Sequence, residues 1–83
     1  MTELFMHMKP VQILIALQAN GKNYASTVAK IVDCTYSHTM KILEALHNDE
    51  MVSFDKKGRV KFVSLTDKGK TIAKDFEKLV NKL

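Results

Sequence analysis

At 83 residues, 46% hydrophobic and 27% charged, the chain reads as one small globular domain, neither disordered nor membrane-spanning, near the lower size limit for an unaided core. The longest apolar run, residues 13–17, is too short to cross a bilayer; no secretory leader precedes it, and one cysteine excludes an internal disulfide, in keeping with a reducing cytosol. The net charge of +4 is uneven: residues 1–50 hold four Lys against five acids (−1), and residues 51–83 hold eight Lys and one Arg against four acids (+5), a focus of positive charge that attracts phosphate.

The opening MTELFMHM supports two readings. Leu4, Met6 and Met8 alternate like a strand, while Thr2 followed by Glu3 equally starts a helix. Residues 1–9 are therefore left unassigned, with apolar content that suits packing, including packing against a second copy. Pro10 fits the first turn of a helix, where its missing N–H costs nothing. VQILIALQAN then places Val11, Leu14, Ile15 and Gln18 on one face, widened by Ile13 and Leu17, and Asn20-Gly21 ends it. Residues 22–24 form a short extended link with Tyr24 turned inward.

A short helix is predicted over 25–32, with Val28, Ala29 and Val32 buried. Asp33-Cys34-Thr35 makes the turn, and Thr35 is a good N-cap for the next helix, 36–49. That helix carries an inward stripe at Thr39, Ile42, Leu43 and Leu46, spaced three and four apart. Tyr36, Ser37, Met40, Lys41 and Ala45 are left looking outward. Two helices joined by about three residues, the second amphipathic, make a helix-turn-helix candidate. VSFD and VKFVSL then flank KKGR, two β-rich runs around a turn with Gly58, which predicts a hairpin with a basic tip. Thr66 caps a final helix to about residue 82, with Asp67 favourable in its first turn. Ile72, Phe76, Leu79 and Leu83 repeat at four, three and four along it, a coiled-coil-like seam. Lys70, Lys74, Lys78 and Lys82 lie on the opposite face and read as a solvated surface. The seam exceeds what one small hairpin can cover, so dimerisation through residues 66–83 is expected.

The order helix, helix-turn-helix, hairpin, helix resembles a winged-helix DNA-binding domain: an α+β, mostly α fold with a three-helix core, a β-hairpin wing and a C-terminal amphipathic helix. More narrowly, VAKIVDCTYSHTMKILEALHNDEMV, KKGRVKFVSLTDKGK and the Leu65-Thr66-Asp67-Lys68-Gly69 link resemble a minimal MarR-like transcription regulator. The resemblance covers residues 10–83. It implies a recognition helix in the major groove, with Thr35, Tyr36, Ser37, Met40 and Lys41 facing DNA, and a wing on the backbone or minor groove, with Arg59 matching the wing arginine. The chain departs from the pattern at Asp33 and Glu50, where the family often has glycine. It departs again at Lys57, where an acidic residue usually braces the arginine. It also lacks the long extra N- and C-terminal helices that build the larger family's dimer and ligand pocket, so no small-molecule pocket of the usual kind is expected.

Chemically, Lys56, Lys57, Arg59 and Lys61 can pair with phosphates and release condensed counterions, and Arg59 can enter a narrow minor groove. An ordinary charged turn that keeps a strand pair soluble is the plainer alternative. On the helix, Thr35 and Ser37 can donate to phosphate or a base edge, Tyr36 to the backbone, and Lys41 to guanine acceptors. Met40 can meet a thymine methyl, and His38 adds charge when protonated. Cys34 is expected to be a buried structural thiol. His7, His38, His47 and Cys34 lack metal-ligand spacing, and no catalytic motif appears, so neither metal, cofactor nor enzymatic activity is expected. The expected function is sequence-specific transcriptional control by a cytoplasmic, nucleoid-associated homodimer on double-stranded DNA. A winged-helix protein-interaction module and a sequence-nonspecific chromatin-like binder are the alternatives.

Overall fold

Pro10 stands in the first turn of the first helix, as predicted, and the helix opens one residue before it at Lys9. The computed structural model describes residues 8–82 apart from positions 22 and 59 and the side chains of Lys57 and Val60. In it, α1 spans Lys9–Asn20, with proline in its first turn. Its end is made by Gly21 at φ +70, whose N–H donates to the Leu17 carbonyl. The readings of residues 1–7 lie outside the described residues.

The remaining elements follow as β1 (Asn23–Tyr24), α2 (Ala25–Ile31), α3 (Tyr36–Asn48), β2 (Val52–Lys57), β3 (Val60–Leu65) and α4 (Asp67–Val80). The sheet is antiparallel in the order β1-β3-β2. The three helices α1 to α3 and the sheet enclose one cluster that includes Ile13, Leu14, Leu17, Val28, Leu43, Val52 and Val63, with Ala73 of α4 closing it.

α1 packs against α2, α3, α4 and β3, and so it is buried around much of its circumference. Val11, Ile13, Leu14, Ala16 and Leu17 are buried, whereas Ile15 and Gln18, expected inside, are only half-buried. A helix covered from several sides has no single stripe for periodicity to find.

α3 behaves as its periodicity predicts. Thr39, Leu43 and Leu46 are buried and Ile42 packs partly against the cluster. Thirteen residues of helix are marginal alone. Burial of Leu43 and Leu46, at about 1.5–3 kcal/mol each, is what seats it.

The link before α2 differs from expectation. Tyr24 is 49% exposed rather than turned inward. Asn23 and Tyr24 instead add a third strand, opposite Val63 and Phe62, and the Tyr24 ring rests on Phe62 with centroids 4.7 Å apart. The hairpin strands also run further than expected. Lys56 and Lys57 belong to β2, and Lys57 faces Val60 across the ladder, which leaves two residues for the connection. α4 ends at Val80, about two residues earlier than expected.

Candidate nucleic-acid interface

The helix-turn-helix is assembled by backbone bonds and one cap. After α2, Val32 N–H donates to the Val28 carbonyl and Cys34 N–H to Ala29, which turns the chain through Asp33 at φ +55. This is a left-handed position, the reason a glycine would suit it. Thr35 then accepts the His38 N–H at 3.1 Å and starts α3. Lys9 reaches over from α1 and donates to the Val32 carbonyl at 2.7 Å, tying α1 to the turn.

At the head of α3, Thr35, Tyr36, Ser37, His38 and Lys41 are all exposed. Met40 is not simply outward: it is half-buried and packs against the core cluster. Its position borders Thr39 and Leu43, and its flexible thioether folds back over that boundary. Ala45 is exposed as expected, and with Lys41, Ile42, Leu46, Asp49 and Pro10 it lines a hollow of about 330 Å³.

The wing is joined to this helix through a contact the sequence reading missed. His47, in the last turn of α3, donates from Nδ1 to the Val52 carbonyl at 3.1 Å, and its ring lies 5.1 Å from that of Phe54. The Lys61 ammonium sits 5.2 Å from the centroid of the same Phe54 ring, a cation–π distance. His47 carries no motif; its only signal is its place one turn before the hairpin.

The register sets Lys56 directly opposite Lys61. Side chains alternate along a strand, so this pair shares the face of Phe54 and the buried Val63 but lies beyond the core. Lys56 is exposed and Lys61 half-exposed. The side chain of Lys57, all of Arg59 and Leu83 lie outside the described residues.

Where α3 ends, Glu50 adopts φ +63, the second position at which the resemblance expects glycine. Three successive carbonyls here are taken up by the link to α4. Lys68 Nζ donates to Asp49 at 2.8 Å, the Thr66 hydroxyl to Glu50 at 2.6 Å and the Thr66 N–H to Met51 at 3.0 Å. The same Thr66 oxygen accepts the Gly69 N–H at 3.1 Å and so caps α4. Gly69 lies against this junction so closely that a Cβ would overlap the Met51 carbonyl.

On α4, Ile72 and Phe76 are half-buried against the chain's own cluster, so part of the expected seam is used internally; Leu79 is 56% exposed. Lys70, Lys74, Lys78 and Lys82 are exposed. Cys34 is half-buried rather than buried, since it lies in the turn at the core's edge. Among the described residues no group of His, Cys, Asp or Glu could hold a metal ion, and no helix is long and apolar enough to cross a membrane.

Protein AF1382 from Archaeoglobus fulgidus superposes with a TM-score of 0.85 at 25% identity, over 95% of this chain and 91% of that one. The MarR family transcriptional regulator SPO1453 from Silicibacter pomeroyi gives 0.82 at 21%, over 92% of this chain and 55% of its own. The adhesin competence repressor AdcR from Streptococcus pyogenes gives 0.81 at 21%, over 89% and 56%. The chain thus spans nearly all of the first and little more than half of the two regulators. No curated protein matches it. A profile of the winged helix DNA-binding domain matches residues 8–69, from the start of α1 through the helix-turn-helix and the wing to Gly69 of α4; the chain belongs to that family, a DNA-binding and not an enzymatic one.

Proposed function

We propose that the chain is a homodimeric, sequence-specific transcription regulator, a single domain over residues 1–83, that represses by occupying an operator. The observation that carries this reading is the division of α3. One face is held in the core by Thr39, Leu43 and Leu46, while the capped head offers Tyr36, Ser37, His38 and Lys41 to solvent. Lys61 of the wing is connected to the same helix through Phe54 and His47. Such a helix can enter a major groove while Lys56, Lys57, Arg59 and Lys61 engage the flanking backbone. Thr35 meets a phosphate, Met40 offers the edge of its thioether to a thymine methyl, and Lys41 addresses guanine.

Dimerisation through α4 uses the exposed Leu79 with the outer edges of Ile72 and Phe76, extended by Leu83. Two recognition helices then lie about 34 Å apart on one side of the duplex. The repressor sign is supported by a structural relative that is a repressor by name. A protein-interaction module is a second reading, favoured by Ile31 and Tyr36, which are 48% and 53% exposed on either side of the turn.

Fluorescence anisotropy with the protein's own upstream DNA and a scrambled duplex, at two salt concentrations, separates these readings. Tighter, salt-weakened binding to the upstream DNA is the expected result. Equal binding to both duplexes favours a nonspecific binder, and no binding at low salt favours the protein-interaction module.

A further inference from the structure

We infer that Thr66 is a positioning residue for DNA reading, a clamp that sets the angle at which α3 meets the DNA; the inference rests on the DNA-reading role proposed above. The last carbonyls of a helix have no partners within it. At the end of α3 the Ala45, Leu46 and His47 carbonyls accept the Asp49, Met51 and Glu50 N–H groups, and the Asp49, Glu50 and Met51 carbonyls, just past the helix, are bonded in succession by Lys68, the Thr66 hydroxyl and the Thr66 N–H. Because the Thr66 hydroxyl also accepts the Gly69 N–H, one oxygen joins the tail of α3 to the head of α4. It does so where the chain passes from α3 into the wing strand β2.

Glu50 is the pivot. Its φ of +63 is a region that side-chain-bearing residues rarely hold unaided; the Glu50 N–H bond to His47 and the Met51 N–H bond to Leu46 close the turn around it, and the Thr66 bond to its carbonyl fastens that turn to α4. Without the Thr66 hydroxyl that turn keeps its own backbone bonds but loses a bond that fastens it to α4, and α3 gains freedom to swing about it. The burial of Thr39, Leu43 and Leu46 lies along one stripe. It fixes the roll and depth of α3 more firmly than its swing.

The lever is long. Ser37 stands thirteen residues from Glu50, about 20 Å along a helix at ~1.5 Å per residue. A swing of about 10° therefore moves the reading end by about 3 Å, the length of a hydrogen bond. Base-edge contacts are lost at that displacement, whereas the attraction of the wing lysines for phosphate is not.

The test starts from a duplex enriched by the wild-type protein from a random library. The affinities for that duplex and for a scrambled one are measured for wild type, Thr66→Val, Thr66→Ser and Lys68→Met, at a temperature where circular dichroism shows each variant folded. Thr66→Val should lower the ratio of specific to scrambled affinity about tenfold and leave scrambled affinity within about twofold. Thr66→Ser should restore the ratio, and Lys68→Met should fall between. Loss of both affinities in equal proportion, or an unchanged ratio, overturns the inference and leaves Thr66 a stability residue. If Thr66→Val does not fold, Lys68→Met decides, and an unchanged ratio in that variant overturns the inference. Should the wild type enrich no duplex, the DNA-reading role fails and the inference falls with it.

Discussion

Replacing Gly69 by alanine should destabilise the protein, although the general rule for helices points the other way. In an ordinary helix interior, Gly→Ala gains about 1 kcal/mol. At this position the added Cβ would overlap the Met51 carbonyl oxygen and lie 3.2 Å from Leu65 Cδ2. Met51 cannot simply retreat: its N–H is bonded to Leu46 at 2.9 Å and its carbonyl accepts the Thr66 N–H at 3.0 Å. Relief requires α4 to move away from the junction. That stretches the two Thr66 bonds to Glu50 and Met51, at about 1 kcal/mol each, and adds an overpacking cost of about 1–3 kcal/mol. After the propensity gain, a net loss of about 2–4 kcal/mol remains, equivalent to about 10–30 °C in Tm for a chain of this size. Thermal and urea denaturation followed by circular dichroism measure it. Lys70→Ala, an exposed change one residue away, serves as control and should shift stability by less than about 0.5 kcal/mol. A Gly69→Ala protein that melts at or above the wild-type temperature would refute the close-approach argument.

Thr39 is fully buried and its hydroxyl has no hydrogen-bond partner; Thr39→Val keeps the shape, removes the orphan and should gain about 1 kcal/mol in urea unfolding. Glu50→Gly keeps the carbonyl that Thr66 grips and relieves the left-handed backbone; a gain of about 0.5–1 kcal/mol is expected, and a loss would mean that the Glu50 side chain has another role. Joint replacement of Lys56 and Lys61 by alanine should weaken binding to all duplexes alike and reduce the slope of log affinity against log salt by about 2; an unchanged slope would place the wing off the DNA. Ser37→Ala with Lys41→Ala should instead alter sequence preference by about 1–3 kcal/mol per lost base contact, read by competition between the enriched duplex and its point variants.

Where local chemistry decides the structure, the residues announce it. Pro10, the caps that Thr35 and Thr66 make on the helices they precede and the stripe at Thr39, Leu43 and Leu46 act within a few residues of themselves, and each appears where its chemistry places it; the reach of the Thr66 hydroxyl back to Glu50 does not. Tyr24 was misread because its surroundings are decided by Phe62, which reaches it only when a distant strand pairs alongside. α1 was misread because four elements cover it, which erases the contrast between faces. Asp33 and Glu50 are a third kind of case. Aspartate tolerates a positive φ without requiring it and glutamate does not signal one; only the family pattern marked those positions, yet both backbones adopt the left-handed form that a glycine would take. In the candidate site, the exposed head of α3 was legible from periodicity. The link from His47 through Phe54 to Lys61 was not, since it crosses between elements.

The facing of Lys56 and Lys61 across the wing has a consequence for the free protein. Like charges set directly opposite on a ladder oppose its closure, so the outer part of the hairpin is held shut against its own electrostatics. A polyanion laid against that face reverses the sign of the interaction, and closing the hairpin and gripping the anion become mutually reinforcing events. Under the DNA-binding role proposed above, the wing is an unfinished piece of structure whose counter-charge is supplied by the DNA. The repulsion also guards β2, an outer strand of the sheet, because a second chain approaching that edge meets the same positive field before it meets a free backbone.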